Sequence, residues 1–447
     1  MRYHFISIGG SIMHSLAIAM HLKGAIVTGS DDEIFEPAKS NLAKYNLLPS
    51  NIGWDASKIT DDIDIIILGM HAKADNPELL KAQELGLKIL SFPEFIYENS
   101  KNKIRIVIGG SHGKTTITSM ILHVLKELNI KADYLVGAKI PNYDVMVNIT
   151  DDAKYLIVEG DEYLTSTLDK RPKFHLYHPY IALLTGIAWD HFNVFPTFDF
   201  YVEQFKIFVD KIEKGGSFIY FDEDENLRKI AKNSRSDIQK IPYNTPNYTI
   251  KDNNFIIIDN NIDYKMEVIG KHNMQNLLGA MNVCNLIGIT NESFLKAMQS
   301  FKGAAKRMEL IKKTEELVIY RDFAHAPSKV KATINAIKEQ YPTKKLIAVL
   351  ELHTYSSLNI DFLPLYKGTL NNADKKLIFF DFNALKLKKL PLLNKDDVKK
   401  AFDDDTVEVF NDIDKLKEAI LNELNNNAVL LLMSSGDFGG MLNNLTL

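Results

Sequence analysis

An α/β fold with largely parallel sheets is predicted by two observations. Short apolar runs alternate with helix-period segments along most of the 447 residues, the pattern of successive βαβ units. Two of these runs, 3–8 and 104–108, lead straight into glycine turns followed by helical patterns, as strands do when they deliver a phosphate group to a helix N-terminus. The chain is also too long for one core, so two or three domains are expected.

The elements follow in order. A strand at 3–8, a Gly9-Gly10-Ser11 turn and a helix at 13–22 open the chain. A second strand at 25–28 ends in Ser30-Asp31, and a third lies at 63–68. This is a nucleotide-type βαβ unit, but Ser11 and His14 follow the glycines and the full GxGxxG spacing is absent, so it does not specify a dinucleotide. The polar stretch 98–103 reads as a linker. The second block starts with the strand 104–108 and continues through strands at 155–158 and 181–185 and a hairpin at 254–263, whose Asn-Asn pairs suit turns. The third has strands at 317–320, 346–350, 376–380 and 429–433 with helices between them. The Lys- and Asp-rich stretch 386–405 reads as a solvated surface. The expected boundaries are 1–102, 103–299 and 300–447.

The most informative stretch is Ile108-Gly109-Gly110-Ser111-His112-Gly113-Lys114-Thr115-Thr116, set between a strand and a helical pattern at 117–128. Glycines let backbone N–H groups close on phosphates, and the helix dipole favours the anion. Lys114 can reach the outer phosphates, and the Thr115 hydroxyl can sit on Mg²⁺. Ile108 stands where the general pattern has a glycine. After the strand 155–158 comes Glu159-Gly160-Asp161-Glu162-Tyr163. Carboxylates at a strand end near a phosphate loop are placed to hold Mg²⁺, which takes oxygen ligands from one or two carboxylates and the substrate phosphates. The next strand leads to Trp189-Asp190-His191, where a histidine can serve a second metal or orient a carboxylate.

Composition narrows the class. A net charge of −4 provides no general argument for nucleic acid or a membrane surface. Cys284 stands alone, which excludes an internal disulfide and suits a reducing compartment. No apolar run reaches the length of a membrane span, and the N-terminus reads as a strand, not a signal peptide. A cytoplasmic enzyme, monomeric or weakly dimeric, is expected.

GGSHGKTT, VEGDEY, WDH, GKHNMQN (270–276), FKGAAKRME (301–309) and DFAHAP (322–327) occur in that order. Together they resemble the Mur ligases, which join amino acids or peptides to UDP-muramyl precursors of peptidoglycan, and the resemblance covers essentially the whole chain. It implies three domains: a Rossmann-like UDP-binding domain, a central P-loop ATPase domain and a C-terminal Rossmann-like domain. It also implies ATP and Mg²⁺, and a carboxylate activated as an acyl phosphate that an amine then attacks. The opening strand–GGS–helix resembles the branch that binds UDP-N-acetylmuramic acid itself. Within that branch, DEY followed by Asp169-Lys170-Arg171-Pro172-Lys173-Phe174 resembles the members that attach the tripeptide L-Ala-γ-D-Glu-meso-diaminopimelate; members that attach L-alanine are the alternative.

Residue by residue, the resemblance implies that Gly110, Ser111, His112, Gly113, Lys114, Thr115 and Thr116 cradle the ATP phosphates. Lys114 would neutralise the β and γ oxygens, while Thr115 and Glu159 would hold the metal and His191 a second one. Asn273 and Asn276 would lie near the adenine, Arg307 at the γ-phosphate and Asp322 at the ribose, with His325 fixing that loop. Because Arg307 and Asp322 come from the third block, a site completed by domain closure is implied. Gly9, Gly10 and Ser11 would contact the UDP diphosphate, and Ser30 and Asp31 the uridine. Lys170, Arg171, Lys173, Ser434 and Ser435 would face the peptide. Departures include Lys306 and Ala326, where an arginine and a second histidine are usual, and Thr354 in place of an arginine. Lys206, fifteen residues after His191, lies where some Mur ligases carry a carbamylated lysine; a plain amphipathic-helix lysine is expected here.

Overall fold

A computed structural model describes residues 1–138, 140, 143, 145–189, 194–303, 307–424 and 427–441. Among them the strands form four sheets. The first contains β1 (Arg2–Ile6), β2 (Ile26–Ser30), β3 (Ile65–Leu68) and β4 (Ile89–Ser91), all parallel in the order β2-β1-β3-β4. Its helices are α1 (Ser11–Leu22), α2 (Ala38–Lys44), α3 (Pro77–Glu84) and α4 (Phe92–Glu98). All four residues of β3, Ile-Ile-Ile-Leu, are buried, as expected of a strand covered on both faces.

The second sheet is built from β5 (Ile104–Gly109), β6 (Ala132–Leu135), β7 (Val147–Asn148), β8 (Tyr155–Glu159), β9 (Ile181–Leu184), β10 (Ser217–Phe221) and β11 (Gln239–Tyr243). Its order is β11-β10-β9-β5-β8-β6-β7, parallel except for the β6–β7 pair. α5 (Lys114–Glu127) follows β5, α6 (Phe198–Asp210) follows β9, and α7 (Glu225–Asn233) lies between β10 and β11. Phe174, in a 3₁₀ turn at Lys173–Leu176, is fully buried under α6. Its ring stacks on Phe208 at 4.6 Å and meets Phe205 edge-on at 5.5 Å. Arg105 on β5 is buried as well. It donates to the carbonyls of Ser100, Tyr177 and His178 and pairs with Glu213, which pins the polar linker to the sheet.

A small antiparallel sheet follows, β12 (Tyr248–Lys251), β13 (Asn254–Asp259) and β14 (Ile262–Met266). Asn260 and Asn261 make its hairpin turn with positive φ, as the Asn-Asn pair predicts. After α8 (Lys271–Leu286) and α9 (Asn291–Met298) comes the fourth sheet: β15 (Glu309–Lys313), β16 (Leu317–Asp322), β17 (Lys345–Leu352), β18 (Lys375–Phe380), β19 (Val407–Phe410) and β20 (Ala428–Met433). The order is β15-β16-β20-β17-β18-β19, and only β15 runs antiparallel. Its helices are α10 (Pro327–Gln340), α11 (Phe382–Leu387), α12 (Lys395–Phe402) and α13 (Ile413–Glu423).

Two expectations need correction. The stretch 386–405 is not merely a solvated surface: α12 lies within it and buries Val398 and Phe402, four residues apart on one helical face beneath the lysines. The helix after the phosphate loop begins at Lys114, not at residue 117, because Gly113 at φ 76° turns the chain directly into it.

Contacts group the chain into two compact units: Met1–Asn244 with Leu278–Thr290, and Thr245–Leu277 with Asn291–Leu447. The first two sheets share one unit. There the Thr167 N–H donates to the Met70 carbonyl at 3.2 Å, and Lys23 pairs with Asp151 at 2.5 Å. No helix among the described residues is long and apolar enough to cross a membrane. Removing the Phe174 ring is expected to leave a cavity under α6: Phe174→Ala should cost about 3–5 kcal/mol of unfolding free energy in urea titrations.

Candidate functional site

The strand order brings three loops to one edge of the second sheet. β5 lies between β8 and β9, so the segments leaving their C-terminal ends, at 110–113, 160–163 and 185–189, are neighbours. Crevices of this kind are where open parallel sheets hold ligands. Gly110 has φ +114°, and a Cβ there would lie 2.2 Å from Thr185 Oγ1 and 2.8 Å from the Thr185 nitrogen. Only glycine fits both the backbone conformation and this approach. The Thr185 hydroxyl donates to the His112 carbonyl, and the Ser111 N–H donates to the Gly186 carbonyl at 3.0 Å. The glycine loop is therefore fastened to β9.

Acidic groups surround Lys114. Its Nζ donates to Glu162 Oε2 at 2.6 Å and to the Gly110 carbonyl at 2.7 Å. Burial alone would lower its pKa; the negative charges of Glu162, Asp161 and Glu159 outweigh burial and raise it. Asp161 is pulled down to about 2: burial opposes this, and Lys173, then Lys114, overcome it. Thr115 Oγ1 donates to Glu159 Oε1 at 2.7 Å, and Glu159 Oε2 accepts from the Gly137 N–H at 2.8 Å. β8 extends one residue beyond its sequence expectation, so Glu159 is the last residue of the strand. A helix-start hydroxyl beside a strand-end carboxylate is an oxygen donor set of the kind that a hard divalent cation shares with phosphates. His191 lies outside the described residues.

The first sheet carries a second tight loop. Asp31, 7% exposed, accepts from the Gly9 N–H at 2.7 Å and its own neighbour Asp32 N–H at 3.0 Å. A Cβ on Gly9 would meet Asp31 Oδ2 at 2.9 Å. Burial pushes the Asp31 carboxyl up to about 6 against the lowering effect of the Gly9 N–H, with Asp32 adding to the rise. His14 Nδ1 bonds the Gly10 carbonyl at 2.9 Å, Ser11 starts α1, and Lys58 Nζ donates to Ser30 Oγ at 2.9 Å.

Two of the three expected peptide cations are paired within the chain. Arg171 bonds Asp169 at 2.7 Å and reaches Glu94 at 3.3 Å. Lys173 bonds Asp161 at 2.6 Å and is buried, whereas Lys170 is exposed. Lys206 on α6 is exposed and pairs with Glu203 at 3.1 Å.

In the second unit, Asp322 ends β16 and organises the turn around it. Its carboxylate accepts from the Met308 N–H at 2.6 Å, the Ala324 N–H at 2.7 Å and the Thr333 hydroxyl at 3.1 Å. Arg307, beside Met308, lies over the Phe323 ring at 4.7 Å. His325 Nδ1 bonds the Phe323 carbonyl at 2.8 Å. Arg307, Asp322 and His325 thus form one cluster. Asn273 and Asn276 are buried at the start of α8, 3.4 Å apart through their amides. Ser434 donates to Glu351, which also accepts from the Phe438 N–H at 2.9 Å, while Ser435 is partly exposed. Tyr201, Phe323 and Glu351 were given no role by the sequence; Glu162 stood among the carboxylates expected to hold Mg²⁺, and its pairing with Lys114 is what the structure adds. Glu162 stood inside the VEGDEY motif and Phe323 inside DFAHAP, so both had a readable signal.

Three family models match in succession: the Mur ligase family catalytic domain over residues 2–104, the Mur ligase middle domain over 108–284 and the Mur ligase glutamate ligase domain over 306–436. The UDP-N-acetylmuramate–L-alanine ligase of Ligilactobacillus salivarius is 32% identical over 396 residues, covering 86% of this chain and 84% of that protein. Among solved structures, the UDP-N-acetylmuramate–alanine ligase of Thermotoga maritima superposes with a TM-score of 0.71 at 20% identity, over 99% of this chain and 98% of that one. A murein peptide ligase from Psychrobacter arcticus does so with a TM-score of 0.65 at 23% identity, over 100% and 98%.

Two outcomes are expected at these loops. Gly110→Ala should abolish nucleotide binding in calorimetric titrations, since the clash at Thr185 is with backbone as well as side chain. Asp31 has a folded-state pKa above its ordinary 3.8. The stability tied to its protonated form is therefore complete below about pH 4 and lost as pH rises through about 6. Asp31→Asn keeps an acceptor for Gly9 and should stabilise the chain at pH 8 by up to about 3 kcal/mol relative to wild type. At pH 4 melting curves should show no such gain.

Proposed function

We propose a substrate pair for this chain, which belongs to the Mur ligase family and is an ATP-dependent amide-bond-forming ligase of peptidoglycan synthesis: it joins the carboxylate of UDP-N-acetylmuramic acid to an L-alanyl amine, with L-alanine itself as the donor. The observation that carries the reading is the Thr115–Glu159 contact at 2.7 Å beside Lys114. It supports a loop that takes a metal-bound triphosphate, while the Gly9-Gly10-Ser11 loop of the first sheet supports a separate anionic ligand. A ligase that activates one anion with another needs both. L-alanine is favoured by the relative that is 32% identical. It is favoured also by the internal ion pairs of Arg171 and Lys173, which use up much of the basic charge that a peptide with three carboxylates would seek.

In this reading the backbone of residues 110–113 and the N-terminus of α5 hold the triphosphate. Lys114 offsets the charge of its outer oxygens, and Arg307 meets the γ-phosphate. Thr115 and Glu159 would hold Mg²⁺, whose chemistry is to screen the phosphate charge as the substrate carboxylate approaches. Gly9, Gly10 and Ser11 take the diphosphate of the UDP-sugar, and Ser30 and Asp31 take its uridine. Asp322 and His325 keep the Arg307 loop in shape, with Asp322 at the ribose and Asn273 and Asn276 beside the adenine. A carboxylate oxygen takes the γ-phosphoryl group as the bond to ADP breaks; the L-alanyl nitrogen then attacks the acyl carbon, phosphate leaves and the nitrogen gives up a proton to form the amide.

A second reading keeps the same sugar and the same attacking L-alanyl nitrogen but takes the tripeptide L-Ala-γ-D-Glu-meso-diaminopimelate as donor. The run from Asp169 to Phe174 after DEY favours it.

Phosphate release measured with UDP-N-acetylmuramic acid and Mg-ATP is expected to require L-alanine. Turnover with the tripeptide alone would establish the second reading, and turnover with neither amine would overturn both. Lys114→Met should lower kcat by at least about 100-fold, and chelation of Mg²⁺ should stop turnover.

A further inference from the structure

Glu162 has no part in the chemistry above, yet it is 1% exposed and sits against the phosphate loop. Its Oε2 accepts from Lys114 Nζ at 2.6 Å, and its Oε1 accepts from the Tyr201 hydroxyl at 3.2 Å. That hydroxyl lies 3.1 Å from Ser111 Oγ, which in turn accepts from the Ala188 N–H at 2.8 Å. A continuous chain of polar contacts thus runs from the lysine through α6 to the glycine loop and the segment after β9. Tyr201 is fully buried, so this chain is shielded from water, and each contact in it is stronger for that.

The arrangement answers a physical problem. A lysine that neutralises phosphates must keep its charge in a partly dehydrated loop when no nucleotide is there, and an uncompensated buried ammonium is costly. A carboxylate beside it removes that cost. The same carboxylate then competes with the incoming phosphate and repels it.

We propose that Glu162 is a positioning residue that stands in for the outer phosphates: it holds Lys114 and, through Tyr201, Ser111 in loop geometry, and nucleotide binding exchanges this carboxylate for phosphate oxygen. The inference rests on the ATP-dependent reading. Two consequences follow. Nucleotide is held less tightly than Lys114 alone would allow, and ADP leaves faster because Glu162 recaptures the ammonium.

The test titrates the full-length chain with ADP by calorimetry and measures ATP KM and kcat separately. Glu162→Gln keeps an acceptor for Tyr201 but removes the charge. It is expected to tighten ADP binding about ten-fold and lower the ATP KM, while kcat falls as release slows. Glu162→Asp draws the carboxylate back by one methylene and should shift the same quantities less, which keeps the idea testable if the glutamine variant folds poorly. A merely structural residue would raise KM on substitution. Unchanged or weaker ADP binding by both variants would therefore overturn the proposal. Absence of ADP binding by the wild-type chain would instead overturn the ATP reading beneath it.

Discussion

The placement of β5 between β8 and β9 is the constraint on which the candidate site depends. Parallel strands end at one edge, so the residues that follow three different strands become neighbours although they are far apart in sequence. The glycine loop supplies donors, β8 supplies Glu159 and its following carboxylates, and β9 supplies the backbone that clamps the loop. Gly110 is required there because nothing larger clears Thr185. Apolar strands buried on both faces make the edge rigid, which lets hydroxyl, ammonium and carboxylate be held within hydrogen-bond distance of one another.

Charge is managed locally throughout this region. Lys114 is matched by Glu162, Lys173 by Asp161, and Arg171 by Asp169. The Lys114 and Lys173 pairs offset a desolvation cost that these largely buried lysines would incur alone, whereas the Arg171 pair lies at the surface. The consequence for function is that an arriving anion meets cations already engaged, so binding is an exchange of partners. On the first sheet the relation is reversed. Asp31 is a buried carboxylate accepting the very N–H that a phosphate would seek, and the fold favours its protonated form.

The second unit follows the same logic with neutral donors. Asp322 is surrounded by two backbone N–H groups and a threonine hydroxyl, so its charge shapes the turn that carries Arg307 and Phe323. An acid expected to meet a ribose is therefore also the organiser of its own loop. Glu351 does similar work at the ends of β17 and β20, where it gathers Ser434 and the Phe438 N–H.

Local pattern in the sequence was enough for the alternation of strand and helix, the glycine loop with Lys114 and Thr115, the Asn-Asn hairpin and the order of family motifs, because each depends on residues close together along the chain. It was enough also to single out Glu159, since a strand end followed by acids is visible in a few letters. It misread 386–405, where two buried residues are hidden among many charges. The pairing of Lys114 with Glu162, the use of Tyr201 from α6 to tie that acid to Ser111, and the internal neutralisation of Lys173 were decided only by tertiary structure. Those contacts join residues 12 to 90 positions apart, and which of several nearby acids meets a given lysine is set by strand order and burial, not by spacing along the chain.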